Sequence, residues 1–97
     1  KTTIRIRPAG HPTGSQLRGA RALARITIAE LATRAGLAQG TINRAESVDD
    51  FAPITPANAR LLVATLEASG VMFIPADEVA GPGVRLRAAD KRPDSED

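Results

Sequence analysis

Two short apolar-periodic segments meet at Gly36, and the residues around that glycine leave little choice of local fold. Thr27-Ile28-Ala29-Glu30 has the form of a capping box: the Thr27 hydroxyl can accept from the amide three residues on, while Glu30 reaches back to the Thr27 amide. A helix is predicted from Ile28, burying Ile28, Leu31, Ala32 and Ala35. It should end at Gly36, which can take the left-handed conformation that closes helices. Leu37 follows as an apolar anchor, and a second short helix is predicted from Gln39 to Glu46 with Ile42 and Ala45 inward. Two short helices joined by a three- or four-residue turn containing Gly outline a helix-turn-helix.

The flanks extend this pattern. Leu17, Ala20, Leu23 and Ala24 share one helical face, ringed by Arg18, Arg21 and Arg25, so a helix is predicted over about 15–24. Thr55-Pro56 reads as an N-cap followed by Pro at the first helical position, where a missing amide costs nothing. That helix should run through Leu61, Leu62 and Leu66 to Ser69 and stop at Gly70. Between the two helical parts, SVDDFAPI is expected to be a loop that Val48 and Phe51 pin to the core. VMFI at 71–74 and VRLR at 84–87, separated by the turn-rich segment 75–83, predict a β-hairpin.

The ends differ in kind. KTTIRIR alternates with period two, Ile4 and Ile6 against Arg5 and Arg7, which suggests a short strand or arm. Pro8 to Gly14 should be an irregular connector, in which His11 is expected to be a solvated loop residue. The expected organisation is an arm and connector over 1–14, a helical domain over 15–69, a hairpin over 70–88 and a disordered tail over 89–97.

Composition narrows the function. At 97 residues the chain has room for one domain. Of its apolar residues 18 are Ala and only 23 are Leu, Ile, Val, Met or Phe, with no Trp or Tyr, so the core is thin. The absence of Cys removes disulfides, thiolate metal sites and cysteine nucleophiles, and a single His removes most imidazole chemistry. Asp49-Asp50 and Asp77-Glu78 have no metal-ligating company at useful spacing. The chain is expected to be neither an enzyme nor a metal or cofactor binder. No apolar run reaches the roughly 18 residues of a membrane span, and the start has no signal-peptide pattern, so a soluble cytoplasmic protein is expected.

The formal net charge of +2 conceals a division. Residues 1–45 hold eight basic residues against Glu30 alone, and residues 46–97 hold five against ten acidic ones. One half therefore suits a polyanion while the other keeps the chain soluble.

The stretch LRGARALARITIAELATRAGLAQGTINRAES resembles the phage-repressor-like helix-turn-helix family, the Cro and XRE group. The resemblance covers about residues 15–69, with the motif itself in 27–46. The following TPANARLLVATLEASGVMFIPADEVAGPGVRLR is similar to a bacterial subset that ends in a helix and a hairpin. It implies a mainly α, four-helix, lambda-repressor-like domain with a C-terminal β-hairpin, joined by an N-terminal strand if 1–7 forms one.

It also implies a DNA-binding transcription regulator, read as a repressor, that lays helix 38–46 in the major groove of double-stranded DNA. Gln39, Gly40, Thr41, Asn43 and Arg44 would then face the DNA, since Gln and Asn can pair with adenine and Arg with guanine. Thr27 and Ile28 would approach a phosphate through the start of their helix. Arg21 and Glu46 stand where the family often has an ion pair that fixes the helices. Ile28, Ala38 and Gly40 replace the Gln, Ser cap and better helix formers usual in the family, so cooperation between two subunits is expected. Val71, Phe73, Val84 and Leu86 on one hairpin face are the expected homodimer contact, with Met72 and Ile74 on the other face. The alternative reading is a protein-interaction module on a degenerate helix-turn-helix scaffold, an antitoxin or a partner-binding co-regulator.

Overall fold

The structure is a computed structural model that describes residues 10–88. Four helices and a two-stranded antiparallel hairpin follow in chain order: α1 (Gly14–Ala24), α2 (Ile28–Ala35), α3 (Gln39–Ala45), α4 (Pro56–Ala68), β1 (Val71–Ile74) and β2 (Gly83–Leu86). The architecture is therefore mainly α. The N-terminal strand predicted through Ile4 and Ile6, and the tail predicted at 89–97, lie outside the described residues.

Side-chain caps set where the helices begin. Thr27 and Glu30 form the predicted capping box, with Thr27 Oγ1 accepting from the Glu30 amide at 3.0 Å and Glu30 Oε1 accepting from the Thr27 amide at 2.8 Å. Thr55 Oγ1 accepts from the Asn58 amide at 3.1 Å, with Pro56 as the first helical residue. Helix α1 starts one residue earlier than its apolar periodicity suggests, because Thr13 and Gln16 make a second capping box with both bonds at 2.9 Å. At its other end Arg25 adopts φ 59°, the single non-glycine positive φ among the described residues. Such a conformation costs an L-residue roughly 1–2 kcal/mol.

The core is assembled from few large side chains. Leu17, Leu31, Ile42, Leu62, Leu66 and Val71 are fully buried, and Ala20, Ala45 and Ala52 fill the spaces between them. Helix α2 packs on α3 and α4, and α1 packs on α4 and on both strands. Alanine permits these short helices to approach closely, so the thin apolar inventory still closes one core. Gly14 marks the tightest approach: a Cβ added there would run into the Val48 carbonyl oxygen, and its own amide donates to the Asp50 carbonyl at 2.8 Å.

The hairpin pairs Val71 with Leu86, Met72 with Arg85, Phe73 with Val84 and Ile74 with Gly83. Paired residues share a face. Val71, Phe73, Val84 and Leu86 therefore lie together, as the alternation predicts, but their face is turned to the chain's own helices. Val71 is fully buried, Phe73 and Val84 pack against the core, and Val84 reaches Gly19 of α1. Of the four residues expected at a dimer contact, Val71 is thus closed off, whereas Phe73, Val84 and Leu86 are half-buried. The hairpin packs on α1 through both strands and on α4 through β1.

Two loop expectations are also corrected. His11 is 9% exposed, not solvated, and its Nε2 lies 2.9 Å from the Ala52 carbonyl oxygen. Phe51 does not pin the loop to the core: it is 41% exposed and tilts its ring towards His11. Ala52 takes the buried position instead, held by the hydrogen bond that its backbone amide donates to the Pro12 carbonyl at 3.0 Å. Residues 12–14 and 50–52 run antiparallel through the Thr13–Phe51 bridge, and that pairing decides which side chain turns inward.

Candidate nucleic-acid interface

Helices α2 and α3 are joined by a turn built on Gly36. Gly36 has φ 73°, and the next amide, of Leu37, donates to the Ala32 carbonyl at 3.0 Å, the six-to-one bond of a Schellman ending. Leu37 then packs against the core. Helix α3 buries Ile42 and Ala45, leaving Gln39, Gly40, Asn43 and Arg44 exposed and Thr41 half-buried.

The exposed side chains of Gln39, Asn43 and Arg44 form no hydrogen bond or ion pair with the described residues. Their amide and guanidinium groups therefore retain full capacity for an external partner. Ala38 supplies no side-chain cap, and a Cβ at Gly40 would have no atom within 4 Å. The helix offers a low-profile surface around its second residue, through which backbone could approach a ligand.

Thr27 and Ile28 have narrower possibilities. The Thr27 hydroxyl oxygen is occupied by the Glu30 amide, and the Ile28 side chain is partly buried against the core. What remains at this helix start is backbone: the first-turn amides lack intrahelical acceptors. The Glu30 carboxyl sits below the usual carboxylate range, chiefly because it accepts from the Thr27 amide, helped by the Thr27 side chain and by Arg34 one turn on.

Two arginines of α1 fix the far end of α3. Arg21 Nε donates to Glu46 Oε2 at 2.9 Å and Arg21 Nη2 to Glu46 Oε1 at 3.0 Å, so the predicted ion pair forms as a two-pronged contact. The Glu46 side chain is 6% exposed. Its hydrogen bonds raise the Arg21 pKa further above the ordinary arginine range. Arg18, which the sequence places only as a surface residue, donates through Nη1 to the carbonyls of Glu46 at 2.6 Å and Val48 at 2.9 Å, and pairs with the Asp49 carboxylate. No local signal points to Arg18, because its partners lie about thirty residues away.

Gln16 escaped the sequence reading too, although Thr13-Gly14-Ser15-Gln16 carries the same spacing as the box at Thr27. Its Oε1 closes that box while its Nε2 donates to the carbonyls of Ile74 at 3.2 Å and Gly83 at 3.0 Å. One buried amide thus fastens the start of α1 to the loop end of the hairpin ladder. The elements that carry α3 are braced on both sides, by arginines at the α3 end and by Gln16 at the hairpin.

Compared with family models, with characterised proteins and with solved structures, the chain finds no match. Among the described residues no group of three or more metal-ligating side chains comes together, and no helix is long and apolar enough to cross a membrane.

Proposed function

We propose that the chain is a sequence-specific DNA-binding transcription regulator that inserts α3 into the major groove and represses by occupying its site. The observation that carries this reading is the state of Gln39, Asn43 and Arg44: exposed and uncommitted, on a helix whose opposite face is fully buried and whose end is held by Arg21 and Arg18. A reader of base edges needs this combination of free donors and a rigid mount. The fold is a helix-turn-helix domain of the lambda-repressor kind on the same reading. The basic half of the sequence supplies Arg25, Arg34 and Arg44 for phosphate contact, and the first-turn amides of α2 at Ile28 offer another.

A twofold pair of such domains would address half-sites roughly 34 Å apart. Val71, fully buried, is withdrawn from any such pairing.

Selection of bound fragments from random duplex DNA, followed by titration over a salt series, tests the reading. The wild type is expected to enrich one motif, with affinity falling steeply as salt rises. Arg44→Ala or Asn43→Ala should relax preference at one base position, a loss of about 1–3 kcal/mol in discrimination. No enriched motif at low salt, or equal preference in wild type and both variants, refutes it.

A further inference from the structure

Helix α4 carries an apolar face that its own packing leaves open. Its inner side, Ala59, Leu62 and Leu66, is buried where the helix packs on α1, α2 and β1. Ala57, Leu61, Ala64 and Ala68, spaced by four, three and four residues, share the outer side and are all exposed. Leu61 is 45% exposed, one of three large apolar side chains left open among the described residues. The face runs for about three turns and has the spacing by which one helix receives another.

The two borders of this face differ in chemistry. Arg60 and Glu67, seven residues apart, stand along one border, and both are exposed. Asn58 and Thr65, also seven apart, stand along the other and are uncharged. Neither Arg60 nor Glu67 forms an ion pair with the described residues. Two turns of helix, roughly 10 Å, separate them, whereas side chains that pair within one helix are three or four residues apart.

We propose that α4 is the surface on which two copies of the chain pair, with their α4 helices antiparallel about a twofold axis near Ala64. The charges select this arrangement. A twofold that reverses helix direction keeps like borders together, so Arg60 of one copy stands level with the partner's Glu67, and Glu67 with the partner's Arg60. Both ion pairs form at once. In a parallel pair the charged border of each copy would instead lie along the partner's Asn58 and the partner's Thr65, and both charges would lack a counterpart. The midpoint between Arg60 and Glu67 falls beside Ala64, whose small side chain lets the helices cross closely, and Leu61 of each copy flanks the crossing. Use of this pair on two half-sites rests on the proposed function; the pairing itself does not, because α3 and this face share no residue.

Sedimentation of the full chain over a concentration series, without DNA, tests the pairing. Wild type should show a reversible monomer–dimer equilibrium. Arg60→Glu and Glu67→Arg each leave a single sign of charge along the border, so each should raise the dimer dissociation constant about tenfold. The double reversal Arg60→Glu/Glu67→Arg should return it to the wild-type range. Both positions are exposed, and circular dichroism should show the fold retained in all three variants.

Orientation has its own readout. The chain contains no Cys, so one introduced thiol is unambiguous. Ala64→Cys should form a disulfide-linked dimer on mild oxidation. Ala57→Cys should not, since antiparallel packing holds the two copies of that position roughly 20 Å apart. A wild type that stays monomeric throughout overturns the proposal. So does a dimer that neither charge reversal weakens, or linking of Ala57→Cys as ready as that of Ala64→Cys. Preference for a single half-site is measured separately: failure of pairing leaves the α3 reading standing, and a dimer without DNA preference leaves the pairing standing.

Discussion

Arg21 and Glu46 meet in a two-pronged ion pair that joins the last turn of α1 to the C-terminal cap of α3, with the carboxylate almost wholly buried. Removing one partner strands the other, and for a fully buried pair that costs about 3–5 kcal/mol. Because the Arg21 side chain is 25% exposed, a loss of about 2–3 kcal/mol is expected for Arg21→Ala in urea unfolding. Arg21→Met combined with Glu46→Leu should lose less than Arg21→Ala alone, since apolar replacement of both partners leaves no buried charge. A double variant less stable than the single one would show that the pair holds the helices by more than mutual compensation.

Gly14 and Gly40 should respond in opposite directions to the same substitution. At Gly14 a Cβ would overlap the Val48 carbonyl and crowd the Ala45 carbonyl, so Gly14→Ala is expected to destabilise by about 1–3 kcal/mol. At Gly40 the space is open and the backbone helical, so Gly40→Ala should stabilise by up to about 1 kcal/mol. Thermal unfolding of the two variants gives the comparison. If Gly40→Ala also weakens DNA binding, the open surface at that position is where backbone and duplex approach.

Gln16 is the third test, because its amide serves two elements at once. Gln16→Ala removes the acceptor for the Thr13 amide and the donor for the Ile74 and Gly83 carbonyls. Stability should fall by about 1–3 kcal/mol. The hydrogen-exchange signature is the more specific readout: amides of β1 and β2 should exchange faster, while those of α2 and α3 change only by the global loss. Uniform acceleration throughout the chain would mean that Gln16 acts as a helix cap alone.

Acid should loosen the start of α2. The folded Glu30 carboxyl titrates below its unfolded value because it accepts from the Thr27 amide, so its contribution is present above the unfolded pKa and is lost as pH falls through the folded one. That window lies below about pH 4. Asp77 follows the same sign, since the Ala80 and Val79 amides hold its carboxyl low. Carboxyl carbon shifts recorded over an acid titration should place both midpoints below ordinary values, and Glu30→Gln should remove the acid sensitivity of the Thr27 amide. A Glu30 midpoint at or above about 4.3 contradicts the box.

What the sequence by itself determined is local. Caps at Thr27 and Thr55, the left-handed stop at Gly36, the period of Leu17, Ala20 and Leu23, and the alternation of VMFI and VRLR each act within a few residues, where hydrogen-bond geometry and side-chain period admit one solution. The outward set on α3 was legible for the same reason, because Ile42 and Ala45 define its inner face. The Arg21–Glu46 contact was accessible through resemblance, not through spacing.

Only the tertiary structure decided which surfaces are covered. Alternation shows that Val71, Phe73, Val84 and Leu86 share a face but not what that face meets; packing of the hairpin on α1 and α4 buried Val71 and set Phe73 and Val84 against the core. Pairing of 12–14 with 50–52 buried His11 and turned Phe51 outward, and Arg18 found its carbonyls across the core. The contacts of Arg18 and His11 join residues 28 to 41 positions apart, so they depend on how whole elements pack, a free energy that no short window of sequence contains.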